Sequence, residues 1–189
     1  MSRPSSEDEL LVQKCKDELP YITRSFEQLL RKHEPSVFKT CQYLLSDPSD
    51  AEEACQDIFL RVFHKIHTFQ QKASFRTWLY RIAYNYCFTK RKQSIKRSIA
   101  HQKLTSDIIK ESSRTETLHS SKPSKPEIHE VLYELSSQDR EIITLKFISG
   151  LTIQEIAEVN KMKLSTAKMR LYRALERFKV GYEKKIEKS

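Results

Sequence analysis

Only two glycines, Gly150 and Gly181, occur in this chain of 189 residues. Tight β-hairpins draw on glycine for their positive-φ positions, so a fold built from many of them is excluded. Phosphate-cradling loops of the G-x-G-x-x-G or P-loop kind also need several glycines, because the backbone must approach the phosphates closely. Nucleotide-binding enzymes of those classes are therefore excluded as well. A charge-rich helical protein remains, with 38% hydrophobic and 31% charged residues and room for one medium or two small domains.

Residues 1–17 read as a polar N-terminal extension, loosely attached. From Tyr21 the apolar spacing becomes helical, through Ile22, Phe26, Leu29 and Leu30, then Val37, Phe38, Cys41, Leu44 and Leu45. The run Ser46-Asp47-Pro48-Ser49-Asp50 is a turn and a helix start, with Asp50 or Ser49 as the cap. The helix that follows places Ala54, Ile58, Phe59, Val62 and Phe63 on one side. Thr68–Ser74 is a short polar loop, and a long helix runs from about Phe75 to Ser94. Residues 98–126 are rich in Ser, Thr, Lys and His and close on Pro123 and Pro126; they bury too little to offset their ordering entropy. Helical periodicity returns from Ile128 through Phe147, with Gly150 as a helix C-cap. The expected fold is all-α: two small helical domains, 18–97 and 127–183, joined by a flexible linker (98–126), with a basic tail at 184–189.

Charge is unevenly placed. Arg76–Lys103 holds eight Lys/Arg and no acid, and residues 160–189 hold ten Lys/Arg against three Glu, so the rest of the chain is net acidic under a total of +9. Eight of the eighteen aromatics crowd into the overlapping stretch Phe63–Phe88. Interleaved cations and rings suit a surface that holds phosphates and stacks on exposed bases. Solvated helix faces would explain one such island but explain two less well. The four cysteines (15, 41, 55, 87) are widely spaced and read as reduced thiols packed in helices. Met1–Leu19 is acidic and polar, so no signal peptide, no membrane insertion and a cytoplasmic location are expected.

Thr152 and Glu155 form a capping-box pattern that starts a short helix with Ile153, Ile156 and Ala157 on its apolar face. After a turn at Asn160–Lys163, a second helix runs from Ser165 to about Val180. At 100° per residue its stripe of Ala167, Leu171, Ala174 and Phe178 is buried, while Ser165, Thr166, Met169, Arg173 and Arg177 point away, flanked by Lys168, Arg170 and Tyr172. This is a helix-turn-helix pattern, whose second helix enters the major groove. A helical hairpin with a charged exterior would share the pattern.

The strings Asp50-Ala-Glu-Glu-Ala-Cys-Gln-Asp-Ile-Phe-Leu-Arg-Val-Phe63 and Ser74-Phe-Arg-Thr-Trp-Leu-Tyr-Arg-Ile-Ala-Tyr-Asn85 closely resemble region 2 of bacterial extracytoplasmic-function (ECF) sigma factors, in the sigma-70 superfamily. Leu135 through Ala174 resembles their region 4. The resemblance implies a dissociable promoter-specificity subunit, not an enzyme. Its partners would be the RNA polymerase core (β′ clamp helices and β flap), promoter DNA and an anti-sigma factor. It assigns core-polymerase binding to Gln56, Asp57, Leu60 and Arg61. To melting and recognition of the −10 element it assigns Arg61, Phe69, Gln70, Lys72, Ser74, Arg76, Trp78, Arg81 and Asn85. Trp78, at helical spacing with Leu79 and Ile82, suits the core as well as a stacking platform. The −35 element falls to Ser165, Thr166, Lys168, Met169, Tyr172 and Arg173.

Four positions depart from the family pattern. Lys161 stands where glycine is common in the turn, leaving Asn160 to supply the left-handed residue. Lys163 replaces the usual cap, so the recognition helix would start at Ser165. Met169 replaces a small polar residue, and the loop Gln70-Gln71-Lys72-Ala73 lacks its customary glycine. A repressor using only the helix-turn-helix leaves the Phe75–Ala83 string unexplained. A helical metalloenzyme would rest on His64-x-x-His67 and Glu116-x-x-His119, which is too few ligands for a di-iron bundle. No metal and no cofactor is expected.

Overall fold

The computed structural model describes residues 7–45, 47–105 and 128–187. Among the described residues it is all-α: α1 (Glu7–Glu18), α2 (Arg24–Leu45), α3 (Pro48–Lys65), α4 (Phe75–Thr105), α5 (Ile128–Glu134), α6 (Ser137–Ile143), α7 (Ile153–Val159) and α8 (Leu164–Ile186). A 3₁₀ turn at Ile66–Thr68 follows α3, and a π-helical turn at Thr144–Ile148 follows α6. The first four helices form one bundle and the last four, with the π turn, form a second.

The N-terminal extension is more structured than its polarity suggests. Glu7, Asp8 and Glu9 lie in the first turn of α1, at the positive end of its dipole, and Val12 and Cys15 are fully buried. Asp8 reaches across to Lys32 (2.8 Å) and to His33 Nε2 (3.0 Å) on α2. Two buried side chains per three turns give a weak periodic signal, so tertiary contact and not amphipathicity orders this helix.

α2 starts at Arg24, so Tyr21 and Ile22 precede it and are exposed. From Phe26 onward α2 and α3 follow their predicted stripes, with Phe26, Leu29, Val37, Cys41 and Leu44 buried on α2, and Ala54, Ile58, Phe59 and Val62 buried and Phe63 half-buried on α3. The cap of α3 is Asp47 and not Asp50 or Ser49. Its carboxylate accepts from Asp50 N at 3.0 Å, and Pro48 occupies the first helical position, where a missing N–H costs nothing. α4 runs eleven residues past Ser94, because residues 95–105 contain no proline or glycine to stop it. Helix thus takes up 98–105 of the expected linker, and 106–127 lie outside the described residues. All four cysteines are free and buried, with Cys41 and Cys87 Sγ atoms 3.8 Å apart.

In the second bundle the stretch expected as one periodic segment is broken. Ser136 caps α6 by accepting from Asp139 N (3.2 Å), which ends α5 before it. Gly150, at φ +66, closes the π turn as a left-handed residue, with Leu151 N bonded to Leu145 O at 3.0 Å. The capping box is complete: Glu155 N donates to Thr152 Oγ1 (3.2 Å), and Thr152 N donates to Glu155 Oε2 (2.8 Å). In the turn after α7 it is Lys161 that is left-handed (φ 52), while Asn160 sits at φ −87. α8 starts at Leu164 with Lys163 in the cap position, one residue earlier than expected.

The bundles pack against each other through α2 and α4 on one side and α6, the π turn and α7 on the other. Thr40 Oγ1 and Ser149 Oγ, both fully buried, lie 3.0 Å apart, and Ser36 Oγ bonds Tyr80 OH at 2.7 Å and Ile148 O at 3.2 Å. A left-handed lysine costs about 1–2 kcal/mol in backbone strain, partly offset by the entropy that glycine loses on folding. Lys161→Gly is therefore expected to stabilise the protein by about 0.5–1 kcal/mol, read as a rise in thermal midpoint of about 1–4 °C.

Candidate nucleic-acid and protein-docking interface

α7 sets the entry angle of α8, and the α8 stripe Ala167, Leu171 and Ala174 is buried against it and α6. The opposite face is open. Ser165, Thr166, Lys168, Met169, Tyr172 and Arg173 are all exposed, with Tyr172 70% and Met169 52% accessible. Lysine has no acceptor oxygen, so Lys163 leaves the first-turn N–H groups of α8 without a side-chain cap, at the end where the dipole favours an anion. Arg177 is committed elsewhere: its Nη1 lies 2.7 Å from the buried carboxylate of Asp139.

The second group of nominated residues surrounds the loop from the 3₁₀ turn to the start of α4. Gln70, Gln71 and Lys72 are exposed, and Gln71 takes the left-handed conformation (φ 56) in the place of the absent glycine. Ser74 caps α4, accepting from Thr77 N at 3.1 Å. Phe69 is only 3% exposed, its ring centroid 5.3 Å from Trp78 and 6.0 Å from Phe75. Its ring is therefore a core group, and the Phe69 carbonyl accepts from Lys16 Nζ at 2.7 Å. Trp78 is half-buried in the same three-ring cluster, the core alternative of its two readings. Asn85 is exposed.

Arg76, Arg81 and Ser74 each face the second bundle. Arg76 Nη2 donates to Ser149 O, and Arg81 Nη2 stands 3.7 Å from Glu158 Oε2. Ser74 Oγ lies 3.5 Å from Glu155 Oε1, which also accepts from Thr77 Oγ1. Farther along α4, Arg91 Nη2 is 3.6 Å from the buried Glu141 of α6. Burial pushes the Glu141 carboxyl above its ordinary value, against the hydrogen bond from Tyr84 and the charges of Arg91 and Arg170. Burial also raises Glu155, but hydrogen bonds from Thr77 and Thr152 with the Arg76 charge outweigh it and hold that carboxyl below its ordinary 4.5.

The four residues nominated for protein docking divide between two faces of α3. Gln56 and Leu60 are exposed on the rim of an apolar groove of about 610 Å³ between α2 and α3, floored by Phe26, Leu30, Phe38 and Phe59. Asp57 and Arg61 face α4. Asp57 accepts from Tyr86 OH at 2.6 Å, and the Arg61 guanidinium sits 4.7 Å above the Tyr86 ring centroid. The groove aromatics were not nominated, because helical spacing alone marks them as ordinary core, and Tyr86 counted only as one of the crowded rings. Glu155 and Glu158 were missed because nothing in the sequence places α7 against α4.

Residues 29–95 match the family model described as Sigma-70 region 2, and residues 126–178 match Sigma-70, region 4. The chain belongs to the sigma-70 family, as an ECF sigma factor. It is 26% identical over 159 residues to the ECF RNA polymerase sigma factor SigX of Bacillus subtilis, covering 82% of each chain. It is 27% identical over 135 residues to the ECF RNA polymerase sigma-E factor of Escherichia coli, covering 67% of this chain and 71% of that one. In fold it is similar to the sigma factor RpoE solved with the anti-sigma factor NepR from Bartonella quintana (TM-score 0.66, 24% identity, 85% and 98% coverage). It is also similar in fold to CnrH solved with the cytosolic domain of CnrY (TM-score 0.63, 20% identity, 90% and 94% coverage).

As a sigma factor the protein is a transcription-initiation subunit and not an enzyme. Among the described residues no group of three or more His, Cys, Asp or Glu side chains is placed to hold a metal ion, and no helix is long and apolar enough to cross a membrane. Glu116 and His119 lie outside the described residues. The Glu155 shift makes a prediction about acid stability. Its folded-state value lies below the unfolded one, so its contribution is complete above about pH 4.5 and is lost as pH falls through the folded value. Glu155→Gln, which keeps a capping-box side chain, is expected to lower stability at pH 7 and to flatten its decline on acidification, read by denaturant melts across pH 3–7.

Proposed function

We propose that this sigma factor docks on bacterial core RNA polymerase through the α2/α3 groove, reads the −35 element with α8 and melts the −10 element with the 70–74 loop and α4. The observation that carries the reading is the division of α8. Ala167, Leu171 and Ala174 are buried on one face, with Phe178 beyond them half-buried and not fully enclosed as the spacing predicts. The six residues that match the family's reading positions all stand exposed on the other. Arg173 and Lys168 suit guanine edges, Ser165 and Thr166 suit phosphates at the uncapped helix start, and Met169 suits a thymine methyl.

Leu60 and Gln56, on the rim of the apolar groove, suit the helices of the polymerase β′ clamp, and the second bundle suits the β flap. Asp57 and Arg61 act one step removed, by fixing α3 on α4 through Tyr86, and Arg61 keeps a cationic edge toward DNA. Gln70, Lys72 and Ser74 line the place for an unstacked base, with Arg76, Arg81 and Asn85 along the backbone path. Buried Phe69 and half-buried Trp78 hold that loop's shape. An anti-sigma factor is a natural further partner, since the fold neighbour RpoE was solved with the anti-sigma factor NepR. Activity with polymerase places the protein in the bacterial cytoplasm.

Run-off transcription with purified core polymerase and a promoter library tests the whole reading, and failure to bind core polymerase would refute it. Leu60→Asp puts a charge on the apolar rim and is expected to weaken core binding at least tenfold, about 1.4 kcal/mol, in a pull-down titration. Arg173→Ala is expected to cost about 1–3 kcal/mol at a cognate −35 site and to relax preference at one base position, while core binding stays unchanged.

A further inference from the structure

The 70–74 loop is held at both ends, and the two holds differ in kind. At its far end Ser74 caps α4, accepting from Thr77 N at 3.1 Å. At its near end Phe69 closes the 3₁₀ turn, donating its N–H to Ile66 O at 3.1 Å. The Phe69 ring is packed against Phe75 and Trp78, and the Phe69 carbonyl accepts from Lys16 Nζ at 2.7 Å. Lys16 belongs to α1, 53 residues earlier and before the matched region 2, which begins at residue 29. Between the two holds Gln71 keeps a left-handed backbone (φ 56). Such a conformation in a residue other than glycine persists only where its surroundings over-determine it.

α1 is a firm base for that hold, because it is itself staked to α2 at both ends. In its first turn Asp8 meets Lys32 at 2.8 Å and His33 Nε2 at 3.0 Å. In its last turn Glu18 accepts from Ser25 N at 3.1 Å and from Ser25 Oγ at 2.9 Å. The contacts close a circuit. His33, held by Asp8, lies edge-on to Phe75 with ring centroids 5.5 Å apart, and Phe75 lies 6.0 Å from Phe69. Lys16 completes it, half-buried and with Nζ 6.0 Å from the Phe69 ring centroid, while its neighbours Lys14 and Asp17 are exposed. A half-buried ammonium donating to a carbonyl makes a charge-assisted bond, stronger than a neutral one.

We propose that Lys16 is a positioning residue for promoter melting: from α1 it fixes the Phe69 carbonyl and so pre-shapes the 70–74 loop for the unstacked base. This rests on the assignment of that loop to the −10 element. Extruding a base costs stacking energy that its pocket must return, and ordering the loop at that moment would subtract from the return. A loop already held by Lys16 meets its ordering cost during folding instead. The effect of losing Lys16 therefore falls on strand opening. Polymerase docking and −35 reading are spared, because neither the α2/α3 groove nor the exposed face of α8 includes a residue of α1.

The test uses the full chain with core polymerase on a linear promoter carrying 2-aminopurine in its −10 element, whose fluorescence rises as the base unstacks. Lys16→Met keeps the aliphatic stem and loses the donor, Lys16→Arg keeps a donor, and Val12→Ala thins the buried side of α1 without touching the Phe69 carbonyl. Lys16→Met should slow the rise at least about fivefold, with core binding and −35 duplex binding at wild-type values. Lys16→Arg should recover most of the rate. Val12→Ala, assayed below its lowered melting midpoint, should open the promoter like wild type. Opening by Lys16→Met at the wild-type rate, or an equal loss in Val12→Ala, would overturn the proposal. So would a salt dependence weakened in Lys16→Met by about one phosphate contact, which would make Lys16 a DNA ligand instead. A wild-type protein that binds core polymerase and opens no promoter would refute the −10 reading itself, whereas normal opening by both wild type and Lys16→Met would refute the positioning role alone.

Discussion

Glu155 is the side chain on which the arrangement of the two bundles turns. One carboxylate oxygen closes the capping box with Thr152 and so fixes where α7 begins. The other accepts from Thr77 and approaches Ser74, at the first turn of α4. The group that orients the helix-turn-helix is thus also the group that ties it to the face expected to hold melted DNA. A charged hydrogen bond that is half shielded from water is worth more than a surface ion pair such as Arg81–Glu158, where both side chains are 45% exposed. The tie therefore depends on Glu155, Arg76 and the buried Thr40–Ser149 contact more than on the outer pairs.

The same economy of faces recurs on α2 and α3. α2 offers Phe26, Leu30 and Phe38 to an open groove and Ser36 and Thr40 to the second bundle. α3 gives Gln56 and Leu60 to that groove while Asp57 and Arg61 grip Tyr86 of α4. A helix that is apolar on a broad stripe and polar on both flanks can serve a core, a partner and a neighbouring domain at once. This arrangement leaves a small protein with an open apolar groove, a contact between bundles and an exposed α8 face, each on a different side.

Strong periodicity was legible in advance. The buried stripes of α2, α3 and α8, the capping box and the exposed α8 face all follow from spacing and composition. The readings that changed are those where a local signal was weak or overruled. α1 is ordered by Asp8 contacts with α2 that its low hydrophobicity does not announce. Asp47 displaced Asp50 as a cap because Pro48 claims the first helical position. Lys161 accepts a strained backbone because the turn between α7 and α8 is set by packing at both ends. Phe69 sits inside, since a ring between Phe75 and Trp78 gains more from burial than a solvated loop position offers.

The sequence by itself determined that the chain is helical, that its cations cluster in two stretches and that its last long helix has a buried stripe and an exposed polar face. These follow from residue period and charge, which act over a few turns. Only the tertiary structure decided which cations are free. Arg173 and Lys168 project into solvent, while Arg76, Arg81 and Arg91 meet carboxylates or a carbonyl fifty or more residues away in the chain. Such pairings depend on how two amphipathic bundles bury their remaining faces together, and neither bundle specifies that alone.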